Sequence, residues 1–418
     1  MNEIKDIGGF KMAVERLPFL RSATVGIFFL AGSVDENVEE RGITHFIEHM
    51  VFKGNKRMRG KELMRKIEFL GAHIDAFTSK EYTCIWIKVP GDKIEQTLSL
   101  FSNLISSPSM EQISLEKERG VVLEEIGVSS SEPESKLIDT FYENFFTFPL
   151  GHQILGDQES VRSFSQDTLL SFFNKHFTKD RSIVVGVGDV QEEIITGFIE
   201  KKINLKESKE ERDLLSKERI KRIFFKYIPM EIEQIYGIVS FPGPSRPSED
   251  RYTSAILSTI LGGGMSSRLF VKLREDEGLV YNIYSSSDSY LHTGTFYTFF
   301  STSFFNLKKV LKIIKTEKEN IVNTLENNEI EIAKNLAKSR IFISLESPYS
   351  RMNRIFGDFF TYKRIRSIDE IVENIDRIKK SNIVNFWEKY LSIKPTLILL
   401  GREGSRKEVE EVSNEIFG

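Results

Sequence analysis

The chain has 418 residues, of which 28% are charged and 40% are hydrophobic, and its formal net charge is -3. This length suffices for two or more domains with sizeable cores, and the charge indicates no attraction to nucleic acid or to a membrane surface. The single cysteine, Cys84, excludes an internal disulfide and fits a reducing compartment. Residues 1–11 show no signal peptide and no apolar run reaches about 20 residues. We therefore expect a cytoplasmic protein without a membrane span.

Strand-like and helical patterns alternate along the chain. They predict strands at 10–14 and 23–30, a helix after Gly42, a helix at 61–70, strands at 72–78 and 82–89, a helix at 96–105, a long helix from Ser107-Pro108 to about Val128, helices at 137–145 and 168–176, a strand at 182–188, and a long helical region at 307–343.

The segment after Gly42 contains the pattern H-x-x-E-H, formed by His45, Glu48 and His49. The apolar spacing around it predicts a mostly buried helix with these three side chains on one face. Two imidazoles one turn apart can bind a single Zn²⁺ at about 2.0–2.1 Å. Glu48 is then placed to deprotonate a zinc-bound water, which implies amide hydrolysis without a covalent intermediate. Hydrogen-bonded core histidines are the alternative interpretation.

A third ligand is expected on the long helix that follows. Glu118 and Glu125 lie two turns apart, in the same stripe as Leu115, Val122 and Ile126. A carboxylate in an apolar stripe is costly unless it meets a metal or a charged partner. We therefore predict Glu125 as the third zinc ligand and Glu118 as a carboxylate that orients a ligand histidine or the water. A salt-bridged pair on a half-exposed helix is the alternative.

The segment His45-Phe46-Ile47-Glu48-His49-Met50-Val51-Phe52-Lys53-Gly54 resembles the active site of the pitrilysin, insulin-degrading enzyme and mitochondrial processing peptidase family. The resemblance continues through residues 75–83, 149–156 and 262–284, and it covers nearly the whole chain as in a short bacterial member. It implies one Zn²⁺ per chain, with Glu125 and Glu118 at the positions of the family's two helix glutamates.

The resemblance also implies residues that contact the substrate. Asp75, Ala76 and Phe77 occupy the place of an edge strand beside the zinc, where a peptide can pair through its backbone; Phe77 in the core is the rival interpretation. Arg274 and Tyr281 have the spacing of an arginine and a tyrosine that stabilise the oxyanion. An ordinary surface arginine and a packed tyrosine are the alternative. We interpret the remaining histidines as structural: His73, His152, His176 and His292.

The second half repeats the pattern of the first at an offset of roughly 207 residues, but it has no H-x-x-E-H. We predict an α+β fold of two similar domains related by internal duplication, each with a mostly antiparallel sheet packed against helices. The domains are expected at 1–204 and 221–418. The charged stretch 205–220 joins them as a linker, or alternatively forms a solvated helix face inside one domain.

By resemblance, this chain supplies one side of a clamshell that longer family members build from a single chain. We therefore expect a homodimer that encloses peptides or unfolded polypeptide segments, with Arg274 and Tyr281 of one protomer completing the zinc site of the other. The leading function is a zinc metalloendopeptidase. The alternatives are a non-catalytic binding or assembly subunit and a processing peptidase dedicated to one precursor.

Overall fold

The computed structural model describes residues 3–55, 57–208, 212, 220–221 and 223–418. The chain forms two compact units. The first unit comprises residues 1–128, 148–216 and 343–366, and the second comprises 129–147, 217–342 and 367–418. This division is discontinuous, whereas the domains predicted at 1–204 and 221–418 are contiguous. The linker at 205–220 stays a prediction, because residues 209–211 and 213–219 lie outside the described part.

The strands of the first unit pair in the order β1-β2-β6-β3-β5-β4, and those of the second pair in the order β7-β11-β8-β10-β9. Their bounds are β1 (Lys5–Ile7), β2 (Phe10–Arg16), β3 (Ser22–Phe29), β4 (His73–Thr78), β5 (Thr83–Pro90), β6 (Ser182–Gly188), β7 (Phe225–Pro229), β8 (Gln234–Pro242), β9 (Val280–Ser289), β10 (Gly294–Ser303) and β11 (Thr396–Gly401).

Apart from the additional edge strand β1, the two sheets have the same topology. In the first, β2 and β6 are parallel, and all other neighbouring strands are antiparallel. In the second, β7 and β11 are parallel and the other neighbours are again antiparallel. The order β2-β6-β3-β5-β4 therefore corresponds to β7-β11-β8-β10-β9. The predicted α+β fold with an internal duplication is confirmed.

Helices fill the intervals between strands in the same sequence in both units. They are α1 (Ile43–Val51), α2 (Gly60–Phe69), α3 (Ile94–Ile105), α4 (Gln112–Ser131), α5 (Pro133–Phe145), α6 (Gln158–Ser163), α7 (Gln166–His176), α8 (Glu192–Lys202), α9 (Asp250–Gly262), α10 (Arg268–Phe270, continued as a π-helix over Val271–Asp276), α11 (Leu307–Thr324), α12 (Asn327–Ser344), α13 (Pro348–Tyr362), α14 (Ile368–Asp376), α15 (Lys380–Phe386, continued as a π-helix over Trp387–Leu391) and α16 (Arg406–Phe417).

The predicted starts of two helices are wrong. Helix α5 begins at Pro133 rather than at residue 137. We expected the long helix to begin at Ser107-Pro108, but α4 begins at Gln112. The backbone of Met110 has a φ of 45°, in the left-handed region, so a right-handed helix cannot pass through it. Ser107 and Pro108 therefore belong to the loop that precedes α4.

Helices cover both faces of the first sheet. In β3, Val25, Ile27 and Phe29 belong to the core that contains α1 and α3. The alternate residue Phe28 faces the other way, and its ring stacks on Phe356 of α13 with centroids 3.9 Å apart. A strand covered on both faces carries a continuous apolar run rather than an alternating one, which explains the sequence of β3. Among the described residues, no helix is long and apolar enough to cross a membrane.

Candidate metal centre

Helix α1 is anchored by its apolar side chains and presents its polar ones on the opposite side. Phe46, Ile47 and Met50 are fully buried in the core of the first unit. His45 and His49, one helical turn apart, remain partly accessible. Their ring centroids are 4.7 Å apart, with the planes at 71°. The burial of the apolar face therefore fixes which way the two imidazoles point, as the sequence pattern predicted.

Helix α4 brings two carboxylates to the same place. Leu115, Val122 and Ile126 are buried and hold the helix against the core. Glu118 lies in the buried stripe with them, and the side chain of Glu125 is 42% exposed. This arrangement brings both carboxylates to α1, where each approaches a nitrogen of His49.

His45, His49 and Glu125 converge on one point. The Nε2 atoms of His45 and His49 lie 3.8 and 3.5 Å from Oε2 of Glu125. One ligand atom from each residue lies within 4.8 Å of the others, and this is the one group of three or more potential metal ligands within the described ranges. The predicted ligand set is therefore brought together by the fold.

The donor set fits a zinc ion. Two ligands bound at about 2.0–2.1 Å in tetrahedral geometry lie about 3.3–3.4 Å apart, which is close to the two separations between histidine and glutamate, 3.8 and 3.5 Å. Two imidazoles and one carboxylate leave one coordination position open, as in catalytic zinc sites. Burial, and to a lesser extent the neighbouring His49, lowers the pKa of His45 to about 4. The neutral imidazole, which is the form that binds a metal, is therefore favoured at neutral pH.

Glu118 contacts the far nitrogen of a ligand histidine. Its Oε2 lies 3.3 Å from Nδ1 of His49, and its Oε1 forms an ion pair with Nζ of Lys53 at 2.6 Å. A carboxylate on the second ring nitrogen fixes the tautomer and the orientation of a metal-binding imidazole. This is the position predicted for Glu118.

Glu48 lies next to the ligand cluster and accepts a hydrogen bond from a residue of the sheet. Its Oε2 accepts a hydrogen bond of 2.5 Å from Oγ1 of Thr78, at the end of β4. Burial raises the pKa of Glu48 above its usual range, and the negative charges of Asp75 and Glu125 act in the same direction. The hydrogen bond from Thr78 and the neighbouring His49 act in the opposite direction. A carboxyl group with a raised pKa exchanges protons more readily near neutral pH.

The predicted edge strand is present. β4 is the last strand of its sheet and pairs with β5. Asp75 is exposed, whereas Ala76 and Phe77 are partly buried, and the Phe77 ring lies 6.0 Å from the ring of Tyr82. Phe77 is therefore not a fully buried core residue. Its contact with a substrate stays a prediction.

Arg274 and Tyr281 belong to the second unit and are both exposed. The guanidinium of Arg274 lies 5.2 Å from the centre of the Phe270 ring. Tyr281 is 60% exposed, so it is not a packed tyrosine. The role of this pair at a zinc site stays a prediction.

Sequence reasoning missed two residues of the centre. Thr78 lies inside the segment that carries the family resemblance, but no spacing links it to Glu48, because the contact joins a strand to a helix. Lys53 follows His49 by four residues, and this spacing could have indicated a cation on the same side as Glu118.

Comparisons with known proteins show the family of the chain. Residues 11–158 match the family model described as insulinase, peptidase family M16, and residues 163–337 match the peptidase M16 inactive domain. The chain belongs to peptidase family M16. All three residues of the candidate ligand set lie within the first matched range, and none lies within the range that matches the inactive domain.

Bacterial M16 relatives match over nearly their whole length. The uncharacterized zinc protease YmxG of Bacillus subtilis is 28% identical over 404 residues, which cover 95% of this chain and 97% of that protein. An uncharacterized zinc protease of Rickettsia felis is 29% identical over 395 residues, covering 94% of this chain and 95% of that protein. These names are consistent with membership of a metallopeptidase family.

Two crystal structures share the M16 fold. A protease from Helicobacter pylori superposes with a TM-score of 0.86 at 19% identity and covers 96% of this chain and 99% of that chain. A Pseudomonas fluorescens structure described as a peptidase M16 inactive domain gives a TM-score of 0.85 at 19% identity, covering 96% and 98%. At these identities the likeness concerns the fold.

Proposed function

We propose that this M16 protein is a zinc metalloendopeptidase that hydrolyses peptides or unfolded polypeptide segments. The observation that carries the proposal is the convergence of His45, His49 and Glu125 within 4.8 Å of one another, beside Glu48. These three residues would hold one Zn²⁺ per chain. A zinc ion bound there would act as a Lewis acid. It would polarise the scissile carbonyl and lower the pKa of a water molecule.

Glu48 acts as the general base. It takes a proton from the attacking water and delivers it to the departing amine, so that no covalent intermediate with the chain is formed. Thr78 supports this role because its hydroxyl holds one carboxylate oxygen of Glu48 and leaves the other for the water. Glu118 keeps His49 oriented while Lys53 neutralises the charge of Glu118.

The substrate backbone would pair with the free edge of β4 at Asp75, Ala76 and Phe77. Backbone pairing is largely independent of side-chain identity, which suits an enzyme that selects extended, unfolded segments. The partly buried Phe77 would form an apolar wall beside the bound chain.

The functional form would be a homodimer in which Arg274 and Tyr281 of one protomer complete the site of the other, and the two copies enclose the substrate. Mixing tests this arrangement. Glu48→Gln and Arg274→Ala are each expected to be inactive alone, whereas an equal mixture should regain about a quarter of the wild-type activity, because half of the dimers contain one complete site. An inactive mixture that forms mixed dimers would contradict it.

Hydrolysis of a quenched fluorescent peptide library tests the proposed reaction. The zinc-loaded wild type should cleave, and zinc-loaded Glu48→Gln should lose activity by about 10²–10⁴-fold, with unchanged zinc content. Cleavage by both proteins would rule out Glu48 as the base. If both carry zinc and neither cleaves, the protein is a binding subunit instead.

A further inference from the structure

The metal-binding helix α1 has no capping side chain of its own. Its N-cap is Gly42, with a φ of 85°, and the first backbone N–H groups of a helix have no partner within it. The carboxylate of Glu36 caps the helix instead. Its Oε2 accepts a hydrogen bond from the Gly42 N–H at 2.8 Å, and its Oε1 accepts one from the Thr44 N–H at 3.0 Å. Glu36 is only 3% exposed, so the carboxylate is buried at the positive end of the helix.

The same carboxylate is held on its other side by His152. Nε2 of His152 lies 2.7 Å from Oε2 of Glu36, and the histidine is 6% exposed. Within the described residues, Nδ1 of His152 is buried and has no hydrogen-bond partner. The hydrogen of the ring is therefore placed on Nε2, which donates to Glu36. The ring also stacks on Phe148, with centroids 5.0 Å apart.

The backbone segments that carry these side chains are fixed as well. The Glu36 N–H donates to the Ser33 carbonyl at 3.2 Å, and the Val34 N–H donates to the Lys80 carbonyl at 2.9 Å. Nζ of Lys80 donates in turn to the carbonyl of His152. These hydrogen bonds connect the segment before α1, the turn between β4 and β5, and the loop of His152.

That loop also touches the start of the helix. A Cβ added at Gly42 would lie 2.5 Å from the Leu155 carbonyl, and one added at Gly156 would lie 2.3 Å from the Arg41 carbonyl. Such contacts exclude side chains at both positions. The loop of His152 and the first turn of α1 therefore cannot move independently by more than a small amount.

We propose that Glu36 and His152 are positioning residues of the metal centre. They fix the first turn of α1, and thereby the direction in which His45 and His49 present their Nε2 atoms. Thr44, whose N–H is bound by Glu36, directly precedes His45, so a loosened first turn displaces a ligand. The inference rests on the proposed zinc site but not on the identity of the substrate.

The Glu36→Gln variant of the full chain tests the role of the carboxylate. Glutamine has the same shape but only one acceptor oxygen, so its amide nitrogen faces one of the backbone N–H donors. Zinc affinity, measured by competition with a chelator, should fall by about tenfold or more, as for other groups that orient metal ligands. The visible absorption spectrum of the Co²⁺-loaded protein should change, because it reports the ligand geometry.

Two substitutions separate the hydrogen bond of His152 from its packing. His152→Phe keeps a ring against Phe148 but has no donor, and it should weaken zinc binding as Glu36→Gln does. His152→Gln restores a donor towards Glu36, and it should recover at least part of the wild-type affinity. Equal affinity in the wild type and His152→Phe would contradict the role of His152. If Glu36→Gln fails to fold, the comparison of His152→Phe with His152→Gln tests the proposal.

Asp358→Asn is the matched control. Asp358 is also 3% exposed and lies in the first unit, where it accepts hydrogen bonds from the backbone and guanidinium of Arg366. Asp358→Asn should lower the stability of the protein and leave its zinc affinity and Co²⁺ spectrum unchanged. If the wild type binds zinc and Glu36→Gln and His152→Phe bind it equally well, the inference is wrong and the proposed function stands. If the wild type binds no zinc, the proposed function itself fails.

Discussion

Five strands of the first sheet pair in the same order as those of the second, but the helix that follows the third strand of this order carries different side chains in the two units. In the first unit, α1 lies between β3 and β4 in sequence and carries His45, Glu48 and His49. Helix α9 occupies the corresponding place in the second unit and has neither histidine nor glutamate. It buries mainly apolar residues instead, and its buried Ser254 donates a hydrogen bond of 2.7 Å to the partly buried Ser287 of β9.

Helix α4 and its counterpart in the second half of the chain differ in the same way. In the first unit, α4 buries Glu118 and sends Glu125 to the ligand cluster. Its counterpart α12 buries Ile330, Ala333 and Lys334. The same arrangement of strands and helices thus holds a group of potential metal ligands in one unit, whereas the described residues of the other contain no such group. The comparison teaches that the topology supplies positions, while the side chains at those positions decide whether chemistry occurs.

Removing a ligand should have the largest effect. Glu125→Gln replaces an anionic ligand by a neutral amide, so zinc content should fall from one per chain towards zero. The loss of zinc affinity should exceed the range of about 10–100-fold that is typical when a group hydrogen-bonded to a metal ligand is removed. Metal analysis after dialysis gives the result. The control is Glu331→Gln on α12, which should retain full zinc content. An equal loss of zinc in both variants would contradict the assignment of the metal site to the first unit.

Removing the group that orients His49 should have a smaller effect. Glu118→Gln weakens the contact with Nδ1 of His49 and leaves Lys53 without its carboxylate, so zinc affinity should fall by about 10–100-fold. Chelator competition measures the change. Glu116→Gln, an exposed neighbour on the same helix, should bind zinc like the wild type. No difference between the two variants would contradict the orienting role.

The hydrogen bond to the general base should affect turnover without affecting the metal. Thr78→Val removes the donor to Glu48, and a bond to a charged group contributes about 1.5–3 kcal/mol, so kcat should fall about tenfold or more. Zinc content should not change. Thr83→Val removes a buried hydroxyl of β5 that donates to the Ala31 carbonyl, and it should lower stability rather than kcat. A normal kcat for Thr78→Val would show that Glu48 needs no such support.

The smallest expected effect is on the pH dependence of stability. Burial lowers the pKa of His176, at the end of α7, to about 4, whereas an unfolded histidine titrates near 6.5. The unfolded chain therefore binds more protons below pH 6.5, and stability is lost as the pH falls. The change between about pH 7 and 5.5 should be about 1 kcal/mol for this residue. The counterpart helix α15 has no histidine.

Urea unfolding of metal-free protein at both pH values checks this expectation. His176→Gln should show a smaller loss of stability on acidification than the wild type. An identical pH dependence in both proteins would mean that His176 is already charged in the folded state.

The sequence predicted those parts of the site that depend on spacing within one helix. His45, Glu48 and His49 follow from the turn of α1, and Glu118 and Glu125 follow from two turns of α4. The strand at Ser182–Gly188 was predicted with the observed bounds, because an apolar run between turns is a strong local signal.

Contacts between distant segments could not be predicted in this way. Thr78 meets Glu48 across 30 residues of sequence, and His152 meets Glu36 across 116. We interpreted His152 as structural because no spacing links it to the motif. The membership of α5 in the second unit and α13 in the first was also missed, because local patterns do not specify which sheet a helix covers.

The most direct test of the account is a crystal of the zinc-loaded protein measured on both sides of the zinc absorption edge. One anomalous peak per chain should lie between Nε2 of His45, Nε2 of His49 and the carboxylate of Glu125, with no equivalent peak beside α9. A peak beside α9, or none at the His45 cluster in crystals that contain zinc, would contradict the assignment of the metal centre to the first unit.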